Sequence, residues 1–180
     1  MLTITVPGDE VYDEETRLFA TVGDFNLDLE HSLLSLSKWE SEFQKPFLSS
    51  DEKTSEETIS YIKAMILTPD FPPEVLSRLS SENHKQINEY IQNKMTATWF
   101  NELPGAPKSS EAITSELIYY WLVAFNIPFE VQTWHLNRLL TLIRICNVKS
   151  QKPQKMTREQ IAARNRELNA QRRKQLGTRG

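Results

Sequence analysis

The side chains of this 180-residue sequence best suited to metal or nucleophilic chemistry are three histidines and one cysteine. His31, His84 and His135 lie far apart in the chain and lack the clustered spacing of a zinc site. His135 follows Trp134 in an apolar run, which is typical of a core histidine with one hydrogen bond. Cys146 lies in a similar run, where apolar surroundings make a thiol unreactive. With one cysteine an intramolecular disulfide is impossible, and we expect a reducing compartment.

Phosphate-binding and acid–base motifs are also missing from the sequence. A phosphate loop needs glycines between a strand and the start of a helix. The five glycines are scattered, at Gly8, Gly23, Gly105, Gly177 and Gly180. The adjacent carboxylates Glu56 and Glu57 fit the stabilisation of a helix N-terminus better than acid–base catalysis. We therefore expect no catalytic residue, no cofactor and no metal, and a protein that binds other macromolecules.

Charge is distributed unevenly along the chain. Residues 149–180 contain ten Lys or Arg and two Glu, a balance of +8, whereas residues 1–148 carry −11; together these give the net charge of −3. A basic tail on an acidic body indicates that the tail binds an anionic partner or folds back on its own body. A solvated tail that only keeps the chain soluble is the third interpretation.

The tail combines cationic side chains with a thin apolar stripe. We predict that its partner-binding residues are Ile161, Arg164, Arg166, Leu168, Arg172, Arg173, Lys174 and Leu176. The cations could contact phosphates, and Asn165 and Asn169 could add hydrogen bonds. The tail has no helix-turn-helix signature, no zinc finger and no interleaved aromatic residue, so any nucleic-acid binding would be non-specific.

The elements that must carry these side chains begin with strands. Residues 2–6, 18–22 and 25–29 alternate apolar and polar side chains, the period of a half-buried strand. Gly23-Asp24 separates the second and third runs by two residues, as a tight hairpin turn would. The sequence predicts a small three-stranded antiparallel sheet, a β-meander.

Helical spacing of apolar residues begins after His31. Thr54 and Glu57 form a capping box, Pro73 fits the first turn of a short helix, and Ser81 fits an N-cap. The side chains predicted to face the core are Leu33, Leu36, Trp39, Phe43, Ile59, Ile62, Met65, Ile66, Val75, Leu76, Leu79, Ile87, Tyr90 and Ile91.

Two strongly apolar helices follow a predicted loop at residues 103–109. We expect both to be central, because each is apolar over more than half of its circumference. A break is predicted at Asn126, before Ile127-Pro128. The core positions are Ile113, Leu117, Trp121, Leu122 and Phe125 in the first helix, and Trp134, Leu136, Leu139, Leu140, Leu142, Ile143 and Cys146 in the second.

The tail itself is predicted to be helical from about Met156 to Leu176. Thr157 and Gln160 form its capping box, and Gly177 is its C-cap. The chain is thus predicted to be α+β and mainly α: a small N-terminal sheet and a helical body over residues 1–148, followed by a basic helical arm over 149–180. No apolar run approaches the roughly 20 residues that span a bilayer, and the start MLTITVPGDE lacks a signal-peptide pattern, so we expect a cytoplasmic location.

Several segments resemble small proteins encoded in the tail module of tailed bacteriophages, usually described as tail assembly chaperones. The resemblance covers most of the chain from about residue 27. It is carried by SLSKWESEFQKPFL (35–48), EETISYIKAMIL (56–67), MTATWF (95–100), ITSELIYYWLVAFNIPFEVQTWHLNRLLTLIRICN (113–147) and MTREQIAARNRELNAQRRKQLGTRG (156–180).

The resemblance implies a non-enzymatic role in virion assembly. Such chaperones coat the long helical tape measure protein and keep it soluble while tail tube subunits polymerise around it. The partners implied are therefore phage structural proteins, and the location is the host cytoplasm. One alternative is a structural virion component of the capsid, neck or baseplate, whose arm docks on neighbouring subunits or DNA. The other is a host-type regulator that binds nucleic acid. The resemblance assigns no individual functional residue, and a homo-oligomer stays open.

Overall fold

The computed structural model describes residues 1–13, 18–49, 51–100, 112–150 and 158–177. The fold is α+β and mainly α, as predicted. The chain divides into two compact units, a body over Met1–Asn147 and a C-terminal unit over Val148–Gly180.

The N-terminal residues form a two-stranded antiparallel ribbon. Strand β1 (Leu2–Val6) pairs with β4 (Phe25–Leu29), and β2 (Asp9–Asp13) pairs with β3 (Leu18–Val22). In both ladders the residue numbers of each pair add to 31, so the two ladders share one register along the ribbon. The predicted three-stranded meander is therefore wrong, because β3 pairs with an unpredicted strand and not with β4.

A short interruption between the two ladders explains this error. Pro7 has no N–H to donate to a ladder. The Gly8 N–H donates to Oδ1 of Asp24 at 2.8 Å, and a Cβ at Gly8 would collide with the carbonyl oxygen of Val22. Gly23 and Asp24, predicted to be a hairpin turn, therefore lie opposite Pro7 and Gly8 in the middle of the ribbon.

Helices of the body begin at the capping residues that the sequence contains. The α-helices are α1 (Leu33–Phe43), α2 (Ser55–Met65), α3 (Ser81–Gln92), α4 (Ser115–Ala124) and α5 (Leu136–Ser150), with 3₁₀ helices at Pro73–Arg78 and Phe129–Thr133. The Thr54–Glu57 capping box is confirmed. The N-cap of α3 is Ser80, one residue before the predicted Ser81. Asn126 follows α4 with φ of 52°, which confirms the predicted break. The predicted loop at 103–109 lies outside the described residues.

The body contains two hydrophobic cores that share α1. The first core contains Trp39 of α1 together with Ile4, Val6, Leu27, Leu29, Tyr61, Ile62, Met65, Val75, Ile87 and Tyr90. The second contains Leu33 and Leu36 of α1 together with Ile118, Leu122, Val131, Leu136, Leu139 and Ile143. Helix α1 thus contributes apolar side chains to both cores, and these follow one another at a spacing of three residues along the helix.

Two predicted core positions are wrong, and several others are only half-buried, among them Leu117, Trp121, Phe125, Trp134, Leu140, Leu142 and Cys146. Ile59 of α2 and Ile113 before α4 are exposed, while Tyr61 and Ile118 are buried. Trp134 precedes α5 and only packs against the edge of the second core. Helix α4 is apolar nearly all round, so its apolar pattern did not identify its buried face.

We expect Leu139→Ala to lower the free energy of unfolding by about 2–5 kcal/mol, the usual cost of truncating a fully buried leucine. Trp134→Ala should cost less, because that ring is half-buried and stacks under the Arg138 guanidinium at 4.2 Å. Urea denaturation of both variants measures the difference. An equal loss for the two would contradict these positions.

Candidate functional site

The predicted partner-binding residues lie on helix α6 (Arg158–Leu176), which is followed by Gly177 in the left-handed conformation, with φ of 62°. Every described side chain of α6 is exposed, including the apolar Ile161 and Leu168. Thr157 and the side chains of Gln160, Lys174 and Leu176 lie outside the described part of the chain. The predicted capping box and two of the eight predicted side chains therefore have no structural description.

Helical spacing divides the predicted residues between two faces of α6. Successive residues turn by about 100° around the axis. Ile161, Arg164, Leu168 and Arg172 therefore follow one another along one face, at spacings of three or four residues. We call these four residues the mixed face.

The remaining two described arginines lie on the other side of the helix. Arg166 and Arg173 are seven residues apart, turned by more than 100° from the line of the mixed face. Each extends along the helix, and its Nε donates to the carbonyl oxygen four residues earlier, at 3.3 Å. The structure thus brings together four of the predicted side chains and separates two from them.

The charge of α6 is strongly positive. Six Lys or Arg and two Glu between residues 158 and 176 give a balance of +4. On the mixed face two guanidinium groups alternate with two branched aliphatic side chains. This surface complements a partner with an apolar cleft bordered by carboxylates, because guanidinium binds carboxylate in a bidentate manner.

A second group of polar side chains, which sequence reasoning missed, is buried in the body. His31 and His135 are 2% and 4% exposed, and their ring centroids lie 5.1 Å apart in an edge-to-face arrangement. A main-chain hydrogen bond connects the same two segments, because the Leu136 N–H donates to the His31 carbonyl oxygen at 2.7 Å. Ser32 and His135 also form an isolated β-bridge. We call this contact between residues 31–32 and 135–136 the histidine junction.

Hydrogen bonds at the histidine junction define the protonation of His135. The Asn137 N–H donates to its Nδ1 at 3.3 Å, so Nδ1 carries no proton. The proton of the neutral ring is then on Nε2, which donates to the Tyr90 carbonyl oxygen at 3.0 Å. His31 Nδ1 lies 2.6 Å from the Tyr61 hydroxyl. His135 therefore uses both ring nitrogens while it is uncharged.

Burial opposes charge throughout this junction. It lowers the pKa of His31 to about 3, and the neighbouring His135 adds to the shift. Burial also lowers the pKa of His135, against the opposing effects of the Tyr90 carbonyl and the Glu30 carboxylate. The pKa values of Tyr61 and Tyr90 are raised, again mainly by burial. All four rings are therefore uncharged at neutral pH.

The sequence interpretation of His135 as a core histidine with a hydrogen bond agrees with this geometry. Its pairing with His31 could not be read from spacing, because the two residues are more than 100 positions apart. Within the described ranges, no group of three or more His, Cys, Asp or Glu side chains could hold a metal ion. Cys146 is a half-buried free thiol on α5.

Comparisons with known proteins found no match for this chain among protein-family models, curated proteins or solved structures. Among the helices of the described residues, none is both long enough and apolar enough to cross a membrane.

Proposed function

We propose that the protein is a non-enzymatic assembly factor that binds another protein through the mixed face of α6. The resemblance to tail assembly chaperones supports a phage structural protein as that partner, the helical tape measure protein first among them. Binding in the host cytoplasm would cover apolar surface of the partner during tail assembly.

The observation that carries this proposal is the position of Ile161 and Leu168 on α6. Both are exposed, and both lie on the line that carries Arg164 and Arg172. A helix that uses this face on DNA would press two aliphatic side chains against phosphates, where they gain nothing. Against a protein they become buried, while the arginines pair with carboxylates at the edge. The mixed face therefore favours a protein partner over a nucleic acid.

The energetics of α6 also favour binding. A helix of this length with a thin apolar stripe is marginal in water on its own. Burial of its exposed apolar side chains against a partner would add the tertiary packing that most helices in proteins depend on. The alternative is a structural virion component, whose arm docks on neighbouring subunits or DNA. The presence of the protein in purified virions would favour this alternative.

Two charge-reversal variants test the proposal, because they change the net charge equally on opposite faces. Arg164→Glu/Arg172→Glu alters the mixed face, and Arg166→Glu/Arg173→Glu alters the other side. We expect the first pair to weaken binding of purified tape measure protein by at least about tenfold, the effect of losing roughly 1.4 kcal/mol. The second pair should have a much smaller effect. Leu168→Asp should also weaken binding, by placing a carboxylate in the apolar contact.

Titration calorimetry at two salt concentrations provides the readout, with duplex DNA as the second probe. Deletion of residues 149–180 should abolish binding and leave the circular dichroism of the body intact. Equal losses for both charge-reversal pairs, together with a steep fall of DNA affinity with log salt, would show a phosphate-binding arm and overturn the proposal. So would a wild-type protein that does not bind the tape measure protein.

A further inference from the structure

The histidine junction is the place where the start of α1 meets the start of α5. Its residues connect the first core, through Tyr61 and Tyr90, with the second core, through Leu136. Among the described residues, the contact includes a β-bridge with its main-chain hydrogen bond and the edge-to-face contact of the two imidazoles. Leu33 and Leu136 beside it also share the second core, so only the polar contact at residues 31–32 and 135–136 is sensitive to protons. Two of its groups, the His31 and His135 rings, can each take up a proton.

We propose that the histidine junction is an acid-sensitive contact, which opens on protonation of His31 or His135 while both hydrophobic cores remain folded. The opening separates residues 31–32 from residues 135–136. It is a local transition of the body and does not depend on the binding function proposed for α6.

The hydrogen bonds of His135 oppose its charged form. A second proton can be added only at Nδ1, which accepts the hydrogen bond from the Asn137 N–H. Two donors would then face each other at 3.3 Å, and the ring would have to turn away. Turning breaks the hydrogen bond to the Tyr90 carbonyl oxygen and pulls on the β-bridge with Ser32.

The charged form of His31 is opposed by its neighbours. Its ring lies 5.1 Å from that of His135, so two imidazolium ions would repel each other at close range in a buried site. If Nδ1 were protonated, the Tyr61 hydroxyl could only accept from it. A buried cation without a carboxylate partner is costly, and the hydroxyl offers only a weak dipole.

Other ionisable groups at the junction already have partners. They are the Met1 amino group before β1, Glu30 after β4, Tyr61 of α2 and Tyr90 of α3. Oε1 of Glu30 accepts from the Tyr90 hydroxyl at 2.7 Å, and Oε2 lies 2.6 Å from the Met1 amino group. The Glu30 carboxylate raises the pKa of His135, and the Glu40 carboxylate of α1 raises that of Tyr61. Neither carboxylate offsets the lowering of the His31 pKa by burial.

The direction of the pH effect follows from the lowered pKa values. A histidine with a lowered pKa in the closed form and the usual pKa of about 6.5 in the open form stabilises the closed form above about pH 6.5. That contribution is lost as the pH falls from 6.5 toward the pKa of the closed form, about 3 for His31. For His31 alone the opening equilibrium constant should rise about 30-fold between pH 7.5 and pH 5.

Amide hydrogen exchange of the full-length protein tests the proposal. After correction for the intrinsic pH dependence of exchange, opening at the Leu136 amide should increase about 30-fold or more at pH 5. The reference amides are Leu67, which donates to the carbonyl oxygen of Asp28 in β4, and Ile118, which donates to the carbonyl oxygen of Thr114 at the start of α4. Both should show little change.

Variants and a matched control complete the experiment. His31→Asn keeps an acceptor near the Nδ1 position, and His135→Gln keeps a donor near the Nε2 position, and neither titrates. The double variant should lose the pH dependence at Leu136. His84→Gln should keep it, because His84 lies on α3 outside the junction and bonds the Ser80 carbonyl oxygen.

Nuclear magnetic resonance titration of the unmodified protein gives an answer even if the variants do not fold. In the closed form the His31 ring signals should not titrate between pH 8 and pH 5.5, and the His135 ring signals should titrate below the ordinary histidine pKa. Ordinary titration of both near pH 6.5 would overturn the proposal. Simultaneous acceleration of exchange at Leu136, Leu67 and Ile118 would also overturn it, since the transition would then be global unfolding.

Discussion

Replacement of Trp39 by alanine should lower the free energy of unfolding by about 3–5 kcal/mol, the range for truncation of a buried aromatic residue. Its ring is 1% exposed and packs against Phe43 and Phe47 at centroid distances of 4.9 and 5.0 Å. Its Nε1–H donates to the Glu57 carbonyl oxygen at 2.8 Å and so connects α1 to the first turn of α2. Because the free energy of unfolding of a domain is only about 5–15 kcal/mol, this one substitution removes a large part of it.

Trp39→Phe separates packing from hydrogen bonding. The phenyl ring keeps most of the aromatic contact but leaves the buried Glu57 carbonyl without its donor, which costs about 1–3 kcal/mol. Urea denaturation followed by circular dichroism measures both variants. A loss below about 1 kcal/mol for Trp39→Ala would contradict the assignment of this side chain to the first core.

The second large effect is expected at Glu40, a buried carboxylate on α1. Its Oε1 accepts from the Phe47 N–H at 2.9 Å, and its Oε2 accepts from the Ser115 N–H at 2.6 Å. Ser115 is the first residue of α4, where backbone N–H groups have no partner within the helix. One side chain therefore joins α1, the turn that follows it and the start of α4.

Glu40→Ala should destabilise the protein by about 2–5 kcal/mol, because it leaves two buried N–H groups without an acceptor. Glu40→Gln should cost about half as much, since the amide retains one acceptor oxygen. Glu42→Ala is the control on the same helix. This exposed carboxylate accepts from the Ser60 hydroxyl at 2.6 Å, and its loss should change stability by no more than about 1 kcal/mol. If Glu40→Ala behaved like Glu42→Ala, water or another group would have to satisfy these donors.

Helix boundaries were largely predictable because their signals are local. The Thr54–Glu57 box and the break at Asn126 depend on residues within one turn of each other, and both predictions are confirmed. The N-terminal sheet was not predictable in the same way. Strand β2 has the sequence DEVYD, in which two adjacent apolar residues lie between acidic ones. It lacks the alternation that marked the other strands, so its pairing with β3 left no local signal.

The buried polar contacts of the body could not be predicted from the sequence. Glu40 and Ser115 are 75 residues apart, and the His31–His135 pair spans a still longer distance in the chain. Such contacts depend on how the helices pack, and no periodic pattern marks them. For α6 the sequence analysis predicted which residues bind a partner. It did not assign the arginines to two faces, because that requires the angular position of each residue around the helix axis.

The second core has a consequence for synthesis of the protein on the ribosome. Leu33 and Leu36 near the beginning of the chain share that core with Leu136 and Leu139 near its end. At about 5–20 residues per second, the ribosome needs roughly 5–20 s to make the intervening hundred residues. During this interval α1 cannot bury one of its two apolar sides. Nascent chains that stall before α5 should therefore expose that side to aggregation or to chaperones, even when the first core has already formed.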